Sequence, residues 1–129
     1  MGSEMCIRDR VCFTQAGHPA PMHHSLTDAV VREIGEGGFP VGMFKEMQYK
    51  SYDCNLNSGD SFYLYSDGIT ECFSPTNEEY GRERLKEVIE TARNDNLSNT
   101  LQTVDNSITN WNDSDIFSDD VSILAIKRH

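Results

Sequence analysis

The sequence is short of cysteine, of positive charge and of long apolar runs, and each shortage closes off a class of function. Its four cysteines are Cys6, Cys12, Cys54 and Cys72. None forms a Cys-x-x-Cys pair, and no Cys/His cluster has zinc-site spacing. They read as reduced thiols of a cytoplasmic protein, not as a disulfide framework. Lys and Arg number 11 against 21 Asp and Glu, a formal net charge of -10. Such a surface repels nucleic acid and anionic membrane, so neither is an expected partner. No apolar stretch approaches the ~20 residues that span a bilayer. No apolar signal region follows the start. Two catalytic patterns are missing as well. Gly35 to Gly42 is glycine-rich but lacks the Lys-Ser/Thr of a phosphate loop. Ser66 lacks the Gly-x-Ser-x-Gly frame of a nucleophile elbow.

What is present suits one globular domain of 129 residues, 37% hydrophobic and 25% charged. Residues 1–10, MGSEMCIRDR, carry no apolar period. They read as a non-native or disordered leader resembling translated sequencing adapter. The domain is expected over residues 11–129, entered part-way along. Val11 to Gln15, Asp28 to Ile34, Glu46 to Asn55 and Val121 to Ile126 have the β-rich or alternating texture of strands. Ser61 to Ser66, SFYLYS, is apolar enough for a central strand covered on both faces. The stretch AGHPAPMHH breaks regular structure. His23 and His24 fall within it, as a solvated loop. Asn57 to Asp60 is a turn. Leu85, Val88, Ile89 and Ala92 form a helical stripe over Arg82 to Arg93. Leu101, Val104, Ile108 and Trp111 form a second, with Ser98 as its N-cap. Strands, two consecutive helices and a last strand predict an α+β fold with a largely antiparallel sheet.

Two acidic features carry chemistry. Leu64-Tyr65-Ser66-Asp67-Gly68 delivers a carboxylate at the end of an apolar strand. An ionised carboxylate at a core's edge requires a cation or several donors. Gly68 lets the backbone turn and approach an ion closely. Asp119-Asp120 places two repelling carboxylates directly before the last strand. If strands 61–66 and 121–126 pair antiparallel, Asp67 and Asp119 converge on one sheet edge. Hard oxygen ligands favour Mg²⁺ or Mn²⁺ over zinc. Taken singly, Asp-Gly after a strand is also a common turn, and paired Asp a common solvated loop.

Several blocks together resemble the SpoIIE-type branch of the PP2C, or PPM, serine/threonine phosphatases. They are Ala16-Gly17-His18-Pro19, Gly38-Phe39-Pro40-Val41-Gly42, Ser58-Gly59-Asp60 running to Leu64-Tyr65-Ser66-Asp67-Gly68-Ile69-Thr70-Glu71, Glu79-Tyr80-Gly81 with Leu85, and Asp119-Asp120-Val121-Ser122. They follow the family's order. The resemblance implies half of a PP2C-like β-sandwich with flanking helices. It also implies a two-metal centre of Mg²⁺ or Mn²⁺ at a sheet edge. Asp67, Gly68 and Asp119 would belong to the metal site. Asp120 and His18 would support the loops around it. The implied reaction is hydrolysis of phosphoserine or phosphothreonine on a phosphorylated protein, such as an anti-anti-sigma-type regulator. In the full-length protein, sensor domains upstream could tether it to a membrane.

One departure is large. The family's bridging metal Asp, in an upstream Gly-Asp-x-x-Gly-His-Gly block, has no counterpart here. This chain alone is therefore expected to bind Mg²⁺ weakly and to be inactive. Its uncovered sheet edges favour aggregation. Two other readings stand beside this one. The first is a non-catalytic pseudo-phosphatase module that binds a regulator. The second is a phosphohydrolase with an Asp nucleophile, for which Ser66-Asp67-Gly68 offers only one of the two Asp needed.

Overall fold

The computed structural model describes residues 6–7, 10–14, 19–35, 51–113 and 121–128. In chain order these contain the strands β1 (Cys6–Ile7), β2 (Arg10–Thr14), β3 (Met22–His24), β4 (Val31–Glu33), β5 (Ser51–Asn55) and β6 (Ser61–Tyr65). The helices α1 (Asp67–Thr70), α2 (Gly81–Thr91) and α3 (Leu97–Asn112) follow, and then β7 (Ile123–Lys127). The strands form two antiparallel sheets, ordered β1-β2-β5 and β4-β3-β6-β7. The fold is α+β, as expected.

β6 explains the layering. Successive side chains of a strand point to opposite faces. Phe62 and Leu64 point toward the first sheet, where Phe62 meets Phe13 with ring centroids 5.7 Å apart. Tyr63 and Tyr65 point toward the helices and pack with Ile69, Leu85, Ile89, Val104 and Ile108. SFYLYS is thus the doubly covered strand its composition suggested. Among the described residues, no helix is long and apolar enough to cross a membrane.

Both helices form where their stripes lie. Leu85, Ile89 and Ala92 are buried, and so are Val104 and Ile108. The cap of α3 differs from expectation. Asn96, not Ser98, is the N-cap, and its side chain accepts from the Asn99 N–H at 2.8 Å. Both residue types cap well, so composition alone does not separate them. Asn96→Ala should therefore lower the unfolding free energy by about 1 kcal/mol. Ser98→Ala should change it by less than about 0.5 kcal/mol in the same urea titration.

The region from Pro19 to Ile34 needs a larger correction. The stretch read as irregular contains β3, an inner strand between β4 and β6. Met22 and His24 are buried on it, and His23 is half-buried. The two histidines are therefore strand residues, not a solvated loop. Three residues are too short a period to stand out behind Gly17, Pro19 and Pro21. The strand expected from Asp28 begins only at Val31, because Leu26 to Asp28 turn the chain and Ala29 takes a left-handed φ of 57°. In the region expected to be a leader, Cys6 and Ile7 pair with Cys12 and Val11. The starting part of the expected strand Glu46 to Asn55, and the glycine-rich segment beyond Gly35, lie outside the described residues.

Candidate active site

An acidic residue flanks each end of β6, and the two play opposite parts. Asp60 precedes the strand and is fully buried. Its carboxylate accepts from the Leu26 N–H at 2.9 Å, the Asn57 N–H at 3.0 Å and His23 Nε2 at 3.0 Å. Burial alone would raise its pKa. The Leu26, His23 and Asn57 hydrogen bonds outweigh that, and the pKa is lowered. Its backbone carbonyl also accepts from the Arg128 N–H at 3.0 Å, just past the end of β7. Asp60 is a structural acid that ties the β3–β4 hairpin to β6 and β7. In the sequence it belongs to a turn and to the Ser58-Gly59-Asp60 block of the resemblance, and neither signals its burial.

Asp67 follows the strand and is exposed. It does not sit in a bare turn. It opens the single-turn helix α1, closed by the Glu71 N–H donating to the Asp67 carbonyl at 2.8 Å. Gly68 is buried inside that turn and helical. Its expected role as a sharp bend is therefore corrected. The positive-φ glycines among the described residues are Gly35, Gly59 and Gly81.

Beside Asp67 the two strands expected to pair do pair. Tyr65 stands opposite Ile123 in the antiparallel register of β6 and β7. Ser66 and Ser122 then close the rim reciprocally. The Ser66 N–H donates to the Ser122 carbonyl at 2.9 Å, and the Ser122 N–H donates to Ser66 Oγ at 2.9 Å. Asp119, Asp120 and His18 lie outside the described residues.

Asp67 lines a cavity of about 490 Å³, with Glu71 and Glu79, with Arg82 and Glu83 in the first turn of α2, and with Ala20 also on the wall. The α2 wall is held from behind. Arg84 donates to the carbonyls of Glu79 at 2.9 Å and Tyr80 at 2.8 Å. Its guanidinium lies 4.0 Å from the centre of the Trp111 ring, a cation–π contact. Trp111 Nε1 donates in turn to the Glu78 carbonyl at 3.0 Å. The helical stripe predicts Trp111 on the apolar face of α3; its polar role has no local sequence signal.

Behind the cavity lies a charged cluster. Arg82 Nη1 pairs with Glu33 Oε1 at 3.0 Å, and Lys86 Nζ pairs with Glu33 Oε2 at 3.3 Å. The Tyr65 hydroxyl is buried without a hydrogen-bond partner among the described residues. Burial raises the Tyr65 pKa; Glu33 and Asp67 raise it further, while Arg82 opposes them.

The donor chemistry of this rim fits a hard divalent cation in kind. Its described acidic groups are carboxylates, and no thiol or imidazole is among the described lining residues. Among the described residues, however, no three His, Cys, Asp or Glu side chains converge as a metal cluster. Asp67 alone does not complete a site.

The family model for Stage II sporulation protein E (SpoIIE) matches residues 6–129. The chain belongs to the SpoIIE family. Its similarity to the phosphoserine phosphatase RsbU of Bacillus subtilis (strain 168) is 26% identity over 116 residues, covering 90% of this chain and 34% of RsbU. The SiaA PP2C domain of Pseudomonas aeruginosa shares the fold, with a TM-score of 0.79 at 18% identity over 95% of this chain and 47% of that one. The phosphatase domain of Bacillus subtilis SpoIIE, from a Mn-presoaked crystal, gives 0.73 at 16% identity over 98% and 54%. This SpoIIE-family chain therefore spans about a third of the curated relative and about half of these solved chains. The fold is part of a PP2C domain.

Proposed function

We propose that this chain is the C-terminal part of a PP2C-type protein phosphatase domain that hydrolyses phosphoserine or phosphothreonine on a bacterial signalling regulator in the cytoplasm. The supporting observation is the rim formed by Ser66 and Ser122 at the paired ends of β6 and β7. Asp67 adjoins Ser66 directly. Asp119 is three peptide steps from Ser122 along the chain, a covalent reach of about 10 Å at most. Two carboxylates far apart in sequence are thus tethered to one strand junction.

Asp67, the Gly68 backbone and Asp119 would hold Mg²⁺ or Mn²⁺, with Asp120 and His18 supporting their loops. A metal held there would supply activation of water and neutralisation of phosphoryl charge. The chain's own part is positional. The β6–β7 ladder fixes where Asp67 stands, and the Arg84–Trp111 contact fixes the wall that a substrate would meet. A preformed wall lowers the entropic cost of orienting the ester.

The test is hydrolysis of a phosphoserine peptide with Mn²⁺. The longer protein carrying this chain together with its upstream domain portion should turn over, and the 129-residue chain alone should not. Turnover by the chain alone would overturn the expectation that it is incomplete. Binding without turnover by the longer protein would favour a pseudo-phosphatase module instead.

A further inference from the structure

We propose that Arg82 is the substrate-phosphate anchor of the Asp67 cavity. The assignment rests on the phosphatase reading and adds the residue that recognises the substrate's dianionic group. Arg82 is the one cation among the described residues lining the cavity, where Asp67, Glu71, Glu79 and Glu83 supply negative charge. A phosphate ester entering past these carboxylates requires a compensating cation from the protein as well as from any metal.

Two features prepare Arg82 for that role. First, it is held but not used up. Its ion pair with Glu33 involves Nη1, whereas a guanidinium carries five N–H donors in a planar fork. A single carboxylate oxygen cannot take them all, so donors remain for a bidentate phosphate contact. Glu33 is itself fixed by Lys86 and is largely buried, while the Arg82 side chain is 60% exposed. The guanidinium is thus engaged through one terminal nitrogen while most of the side chain stays accessible. Second, Arg82 sits in the first turn of α2, an eleven-residue helix whose unpaired N–H groups add positive potential at that end. Gly81, with φ 80°, aims that turn.

Arg84 lies two residues away and has a different role. Its donors go to backbone carbonyls and Glu78, and its face to Trp111. It shapes the wall; Arg82 meets the ligand.

The experiment is steady-state hydrolysis of a phosphoserine peptide with Mn²⁺ by the longer protein carrying this chain, comparing wild type, Arg82→Ala and Arg82→Lys. The expected result for Arg82→Ala is a KM raised about tenfold or more, with kcat within about twofold and an unchanged Mn²⁺ activation curve. Arg82→Lys should fall between, because it keeps the charge and loses the fork. Competitive inhibition by inorganic phosphate should weaken in step with KM. An active wild type whose KM and phosphate inhibition are unchanged in Arg82→Ala would overturn this assignment alone. A shift confined to kcat or to the Mn²⁺ curve would overturn it too. A wild type with no turnover would overturn the phosphatase reading and this assignment with it.

Discussion

Asp60→Ala should lower the unfolding free energy by about 3 kcal/mol or more, the largest stability effect expected of a polar substitution in this chain. The carboxylate is fully buried and accepts from two backbone N–H groups and the His23 ring. Alanine would leave all of these donors facing an apolar gap. Hydrogen bonds to a charged acceptor contribute about 1.5–3 kcal/mol each in context, and orphaned buried donors add a desolvation cost. Asp60→Asn should be damaging as well, because an amide offers one acceptor oxygen and turns its NH₂ toward donors. Equilibrium urea unfolding reads both. A loss below about 1 kcal/mol for Asp60→Ala would show that the hairpin closes without its carboxylate.

The same residue sets an acid limit. The folded pKa of Asp60 is lowered from the ordinary value of 3.8. The unfolded chain therefore binds the proton more readily. The stabilising contribution is complete above about pH 4 and is lost as pH falls through the lower folded value. Wild-type stability should fall over that window, and the Asp60→Ala profile should be flatter there.

Asp67→Asn should reduce Mn²⁺-dependent phosphatase turnover of the longer protein by about 100-fold or more while leaving its fold intact. Loss of even an outer partner of a metal ligand weakens affinity or activity by about 10–100-fold, so loss of a direct carboxylate ligand should cost at least as much. The side chain is exposed at the opening of α1, and exposed substitutions usually change stability by less than about 0.5 kcal/mol. If Asp67 binds the ion as proposed, raised Mn²⁺ should recover part of the activity. Thermal unfolding without metal separates the two effects. Unchanged turnover would remove Asp67 from the metal site, and with it the basis for pairing it with Asp119.

Asp60 and Asp67 show what local sequence can and cannot report. Both are Asp beside an apolar strand, and both neighbour a glycine. Asp67 stands out in the sequence because it follows the strand with a short Asp-Gly step. The buried, structurally committed acid is Asp60, whose partner His23 is 37 residues away. Its burial depends on the β3–β4 hairpin folding over it, which no local window contains. His24 makes the same point. It lies among Gly and Pro residues in sequence, yet it is buried on an inner strand between Val31 and Ser61. Burial lowers its pKa, with Glu90 and Asp60 opposing that shift. The Arg84–Trp111 contact joins two helices whose stripes were legible, through polar atoms that an apolar period does not encode.

The amino-acid order alone determined the elements with strong period: the apolar β6, the stripes of α2 and α3, and the antiparallel meeting of β6 with β7 that sets Asp67 beside the start of the last strand. These follow because a periodic apolar pattern has few ways to hide from water. Only the tertiary structure decided which Asp is buried, that Asn96 and not Ser98 caps α3, that Gly68 is helical, and that Arg82 lines the cavity while pairing with Glu33. Those outcomes depend on single polar contacts between distant segments, and a directional contact forms only once packing has placed both partners.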